Sequence, residues 1–117
     1  MICQSHRRGR PGENRAGNPQ VYIQDMISGK VRRLTYEGNY NTQPSWSPRG
    51  DKIAYASFGD DRHNIYVIDV EGRQPLQLTY ESGDNEAPSW SPDGQWLAYI
   101  SNDMRNPGIY IVSPDLS

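Results

Sequence analysis

The chain repeats itself at a spacing of 44 residues. Pro44-Ser45-Trp46-Ser47-Pro48 returns as Pro88-Ser89-Trp90-Ser91-Pro92, Leu34-Thr35-Tyr36 returns as Leu78-Thr79-Tyr80, and Ile53-Ala54-Tyr55 returns as Leu97-Ala98-Tyr99. Val21-Tyr22 returns as Ile65-Tyr66 and again as Ile109-Tyr110, so the copies align without a gap. A fixed period of about 40–45 residues in strand-rich sequence marks the four-stranded blade of a β-propeller. The expected fold class is therefore all-β, built of antiparallel four-stranded blades. A closed ring needs roughly 4–8 of them. This chain carries about two and a half blades of a ring expected to have about six, so the outer blades expose edges, and either self-association or partial disorder is expected.

The period also places the strands. Residues 1–12 read as an unstructured tail, and 13–117 as the partial propeller. Within it, 13–36 close one blade with strands Val21–Asp25 and Val31–Tyr36. Residues 44–80 make a complete blade with strands Pro44–Ser47, Lys52–Ser57, Asn64–Val70 and Pro75–Tyr80, and 88–112 supply three strands of the next. In Ser47-Pro48-Arg49-Gly50 and Ser91-Pro92-Asp93-Gly94, proline pre-sets φ at the second turn position and glycine takes the left-handed conformation that closes a bulged hairpin. Ile65-Tyr66-Val67-Ile68 is a continuous apolar run, as expected of a strand covered on both faces. Ile53 and Tyr55 share one face of their strand and Ala54 and Ala56 the other. Trp46 and Trp90 are large enough to fill the space between neighbouring sheets.

Composition removes several functional classes. The net charge of −2 gives no global attraction to nucleic acid or to a membrane surface. The one basic stretch, His6, Arg7, Arg8, Arg10 and Arg15, lies outside the repeat and reads as solvated tail. Cys3 is the single cysteine, so no internal disulfide can form. No apolar run is long enough to span a bilayer, and residues 1–20 lack the apolar core of a secretory signal. There is no Gly-x-Ser-x-Gly elbow, and two histidines do not assemble a Ser–His–Asp set, so no enzyme activity and no cofactor are expected.

The repeat resembles that of the TolB family: a Leu-Thr, a polar loop, Pro-x-Trp-Ser-Pro-Asp-Gly, Ile-Ala-Phe/Tyr, then Ile-Tyr-Val-x-Asp. Leu34-Thr35, Pro44 to Gly50, Ile53-Ala54-Tyr55 and Ile65-Tyr66-Val67-Ile68-Asp69 carry it once. Leu78-Thr79, Pro88 to Gly94, Leu97-Ala98-Tyr99 and Ile109-Tyr110-Ile111-Val112 carry it again. Gly17 to Tyr22 and Arg33 to Asn41 are also similar to the family. Arg49 departs from it at the usual turn aspartate, and residues 1–13 match nothing in the pattern. The resemblance implies a periplasmic, non-catalytic adaptor of the Tol–Pal system that binds the peptidoglycan-associated lipoprotein Pal and supports outer-membrane integrity and cell division. A second owner of similar repeats is the gating propeller of prolyl-oligopeptidase-type serine peptidases, whose catalytic domain would then lie outside this chain.

Function in a propeller belongs to its loops. The long ones here are Glu37 to Gln43, Phe58 to His63, Glu81 to Ala87 and Asn102 to Pro107. The resemblance points to Asn41, Thr42, Asn85 and Glu86, just before the innermost strands, as partner-binding positions. A turn-capping role for Asn41 and Asn85 fits their recurrence at the period equally well. Tyr40 is a candidate aromatic anchor, because its counterpart is Asp84 and the repeat does not demand it. Asp60, Asp61 and His63 on one loop, and Glu81, Asp84 and Glu86 on another, carry metal-ligating groups without a specific spacing, so no metal site is expected from either.

Overall fold

The computed structural model describes residues 18–38, 40–80 and 83–115, and the backbone of 2–5. Ten strands and no helix are found among them: β1 (Ile2–Ser5), β2 (Gln20–Gln24), β3 (Val31–Arg33), β4 (Asn41–Trp46), β5 (Lys52–Gly59), β6 (Arg62–Asp69), β7 (Leu76–Gln77), β8 (Asn85–Trp90), β9 (Leu97–Ser101) and β10 (Gly108–Val112). They form three antiparallel sheets, ordered β1-β2-β3, β4-β5-β6-β7 and β8-β9-β10. The central blade is thus complete, as the repeat predicts.

The first blade has three strands rather than the two expected. Ile2–Ser5, assigned from sequence to the tail, pairs with β2, and Cys3 lies opposite Tyr22 as Tyr55 lies opposite Tyr66. The strict period would have put Pro11 at that position, between Gly9 and Gly12. Proline donates no ladder hydrogen bond and glycine weakens a strand interior. The better strand former, Ile2-Cys3-Gln4-Ser5, takes the place instead. The basic stretch expected in the tail lies outside the described residues.

Alternation along β5 divides its side chains between two cores. Ile53 and Tyr55 pack with Val21, Leu34 and Ile68, against the first blade. Ala54 and Ala56 pack with Ile65, Val67, Leu78, Leu97 and Tyr99, against the third. Small residues on that face allow β8 to lie close over β4, β5 and β6. Trp46 and Trp90 are partly buried, one on each core, and the Trp90 indole donates to the Ser45 carbonyl across the blade boundary at 2.9 Å. Tyr55 stacks on Tyr66 with centroids 5.7 Å apart, and Tyr99 on Tyr110 at 6.0 Å.

The turns follow their residues. Gly50 and Gly94 both have left-handed φ, 74° and 75°, and each donates its N–H to the serine carbonyl three residues back. In the second turn the Ser91 hydroxyl donates to Asp93 at 2.6 Å. In the first, Arg49 stands where that aspartate would be, and Ser47 donates instead to Asp51 at 2.8 Å. The outer strand β7 is only two residues long, because beyond it the Ile65 N–H is taken by the Thr79 hydroxyl at 2.9 Å.

Candidate functional site

The long loops gather where β4, the β5–β6 hairpin and the start of β8 meet. Two recurrent polar networks pin this junction. In one, the Thr35 hydroxyl donates to Gln20 Oε1 at 2.6 Å and accepts the Val21 N–H at 3.0 Å, while Asn41 Nδ2 donates to the same Gln20 oxygen at 2.7 Å and to the Glu37 carbonyl at 2.9 Å. In the other, 44 residues on, the Thr79 hydroxyl donates to Asn64 Oδ1 at 2.9 Å, and Asn85 Nδ2 donates to that oxygen at 3.1 Å. Each network satisfies a backbone N–H and the asparagine amide N–H groups, which would be costly to bury alone, and leaves the buried Oδ1 of Asn41 and of Asn85 without a hydrogen-bond partner among the described residues.

The five sequence-predicted partner residues therefore separate. Asn41 and Asn85 are fully buried, and Thr42 is buried beside them. The side chains of Asn41 and Asn85 join blades and present no surface to a partner. Of the structural and binding roles their recurrence leaves open, the hydroxyl–amide network, which recurs with the blade, supplies the structural one. Tyr40 is 42% exposed. Its ring lies edge-on to Phe58 and to His63, both at 6.3 Å between centroids, and its carbonyl accepts the Phe58 N–H at 2.9 Å. Glu86 is also at the surface, with Gln43 Nε2 donating to it at 3.2 Å.

Gln43 was not singled out from sequence. It sits in a bulge of β4 with φ of 57°, and Ala87 occupies the same bulge of β8 with φ of 56°. The bulge turns the Gln43 side chain onto the next blade, where its oxygen accepts the Ala87 N–H at 2.7 Å. No glycine announces these bulges, so composition carries no signal for them.

His63 meets neither Asp60 nor Asp61 in a metal-binding group among the described residues; it meets Asp84 and Glu86 of the neighbouring loop. Asp84 Oδ1 accepts the His63 backbone N–H at 2.8 Å and lies 3.1 Å from its Nδ1, and Glu86 Oε1 lies 4.0 Å from Nδ1. The backbone hydrogen bond, with a smaller contribution from the ring, holds the Asp84 carboxyl below the usual carboxylate range. Glu81, the third expected member of the acidic loop, lies outside the described residues.

Residues 44–117 match the family described as TolB beta propeller domain. Among solved structures, TolB from Acinetobacter baumannii is 30% identical, with a TM-score of 0.78 over 98% of this chain and 27% of its own. The putative TolB from Agrobacterium tumefaciens is 29% identical, with a TM-score of 0.77 over 86% of this chain and 36% of its own. The chain thus spans only 27% and 36% of the length of these two proteins. An acylaminoacyl peptidase from Pyrococcus horikoshii, 19% identical with a TM-score of 0.58 over 72% of this chain and 13% of its own, shares the fold alone. No curated protein matches.

Proposed function

We propose, because this chain belongs to the TolB beta-propeller domain family, that it is a non-catalytic protein-docking segment whose partner is a Pal-type lipoprotein of the periplasm. In that reading it acts as part of an adaptor in the Tol–Pal system, serving outer-membrane integrity and cell division. The observation that carries the proposal is the exposed Tyr40 ring, held on Phe58 and His63 at the loop-bearing rim beside Glu86. Aromatic anchors on a rigid support are the residues that dominate protein interfaces, and acidic or amide groups around them fix register. Tyr40 and Glu86 belong to this docking surface; Asn41, Thr42 and Asn85 set the geometry beneath it. The exposed apolar face of the third blade offers a second association mode. Ile109 and Ile111 are 77% and 64% exposed, whereas Ile65 and Val67, their counterparts one period earlier, are buried under the third blade.

The test is a titration of the chain with the soluble domain of a Pal-type lipoprotein. Tyr40→Ala is expected to weaken binding by about thirtyfold or more, the loss typical of a hot-spot aromatic, while the loss of its contacts with Phe58 and His63 lowers the melting temperature by only a few degrees. Equal binding by both proteins would refute the assignment of Tyr40.

A further inference from the structure

We propose that His63, Asp84 and Glu86 form a binding site for a divalent transition-metal ion of the zinc class at the junction of the second and third blades. The backbone explains how they meet. Asn64, half-buried, and Asn85, fully buried, face each other in the polar network, joined at 3.1 Å. In a strand the neighbours of a buried residue point the other way. His63 precedes Asn64, and Asp84 and Glu86 flank Asn85, so the asparagine pair sets the register that brings imidazole and two carboxylates together outside it.

Their spacing suits a small ion. One donor atom from each residue lies within 4.8 Å of the others, and His63 Nδ1 lies 3.1 Å from Asp84 Oδ1. Zinc–nitrogen and zinc–oxygen bonds of about 2.0–2.2 Å put tetrahedral ligands about 3.3 Å apart. A modest inward swing of Glu86, whose side chain is at the surface, closes the remaining gap. The donors are also held from behind. Phe58 stands edge-on to the imidazole at 4.9 Å, the His63 N–H fixes Asp84, and Gln43 fixes Glu86. Such outer supports orient metal ligands and raise affinity.

The blade repeat does not require this trio. One period earlier the same positions hold Pro19, Tyr40 and Thr42. A role in joining blades that every junction shares would not select His63, Asp84 and Glu86 at this one. One imidazole with two carboxylates favours zinc, cobalt or nickel over calcium, which takes oxygen ligands and more of them. Three protein donors leave a fourth position for water or for a ligand from a docking protein.

The experiment titrates the full chain with Zn²⁺ alone by calorimetry, with Ca²⁺ as the comparison and Co²⁺ absorption as the spectroscopic signature of bound metal. The expected result is saturable binding of Zn²⁺ near one equivalent, a Zn²⁺-dependent rise in melting temperature, and a visible Co²⁺ band. His63→Gln and Glu86→Gln are each expected to weaken Zn²⁺ binding by at least about tenfold. Glu86→Gln keeps an acceptor for Gln43, so it remains informative if His63→Gln does not fold. Absence of saturable Zn²⁺ binding, equal affinity for Ca²⁺, or unchanged affinity in both variants would overturn the proposal. None of these outcomes bears on lipoprotein docking, which Tyr40→Ala tests separately.

Discussion

Asn41→Ala separates a structural asparagine from a recognition residue. The side chain is fully buried and donates two hydrogen bonds, to Gln20 Oε1 at 2.7 Å and to the Glu37 carbonyl at 2.9 Å. Each is worth about 1 kcal/mol net, and the vacated space adds on the order of 1 kcal/mol. The expected loss is about 3 kcal/mol, a fall in melting temperature on the order of 10 °C for a domain of this size. Among the described residues Asn85 donates to Asn64 at 3.1 Å, and the loss of that bond with the vacated space puts Asn85→Ala at about 2 kcal/mol or more by the same reckoning. Thermal and urea unfolding followed by circular dichroism reads both variants. Asn41→Ala that melts like the wild-type chain while binding the lipoprotein less tightly would refute the reasoning and return Asn41 to the docking surface.

Other expectations follow from the same packing. Burial raises the Tyr55 phenol well above its ordinary value of 10.0, chiefly by desolvation and then by the charge of Tyr66. The unfolded chain therefore loses its proton first as pH rises. Stability is full below pH 10 and falls above it by about 1.4 kcal/mol per pH unit for this group, a slope that urea titrations should show reduced in Tyr55→Phe. Trp90→Phe removes the indole bond to Ser45 across the blade boundary and should cost about 1 kcal/mol for the lost bond, measured by urea midpoint. Sedimentation should show concentration-dependent association of the chain that the double change Ile109→Lys with Ile111→Lys abolishes. A wild-type chain that stays monomeric would contradict the reading of that face.

The 44-residue period carried most of the fold. It located every strand from β2 to β10, and β10 to the residue, because Pro-x-Trp-Ser-Pro, Ile-Ala-Tyr and Ile-Tyr mark fixed places in a blade. It also put Ala54 and Ala56 on the close-packed face. What the period missed lies off it. Ile2–Ser5 became a strand through local propensity, because Gly9, Pro11 and Gly12 spoil the periodic position. Recurrence alone left open whether Asn41 and Asn85 bind or build, since both uses repeat with the blade; burial and hydrogen bonds separate them. The meeting of His63 with Asp84 and Glu86 depends on packing between blades, across 21 residues or more of chain, which spacing within a single loop does not encode.

The central claim is that the loop-bearing rim, and not the tight serine–proline turns at the other end of the blades, receives a protein partner. Hydrogen exchange of the chain with and without the soluble domain of a Pal-type lipoprotein tests it directly. Protection is expected in residues 37–43, 58–63 and 83–87, with residues 47–50 and 91–94 unchanged. Protection confined to the two turns, or no change at the rim when the partner is bound, would contradict the account.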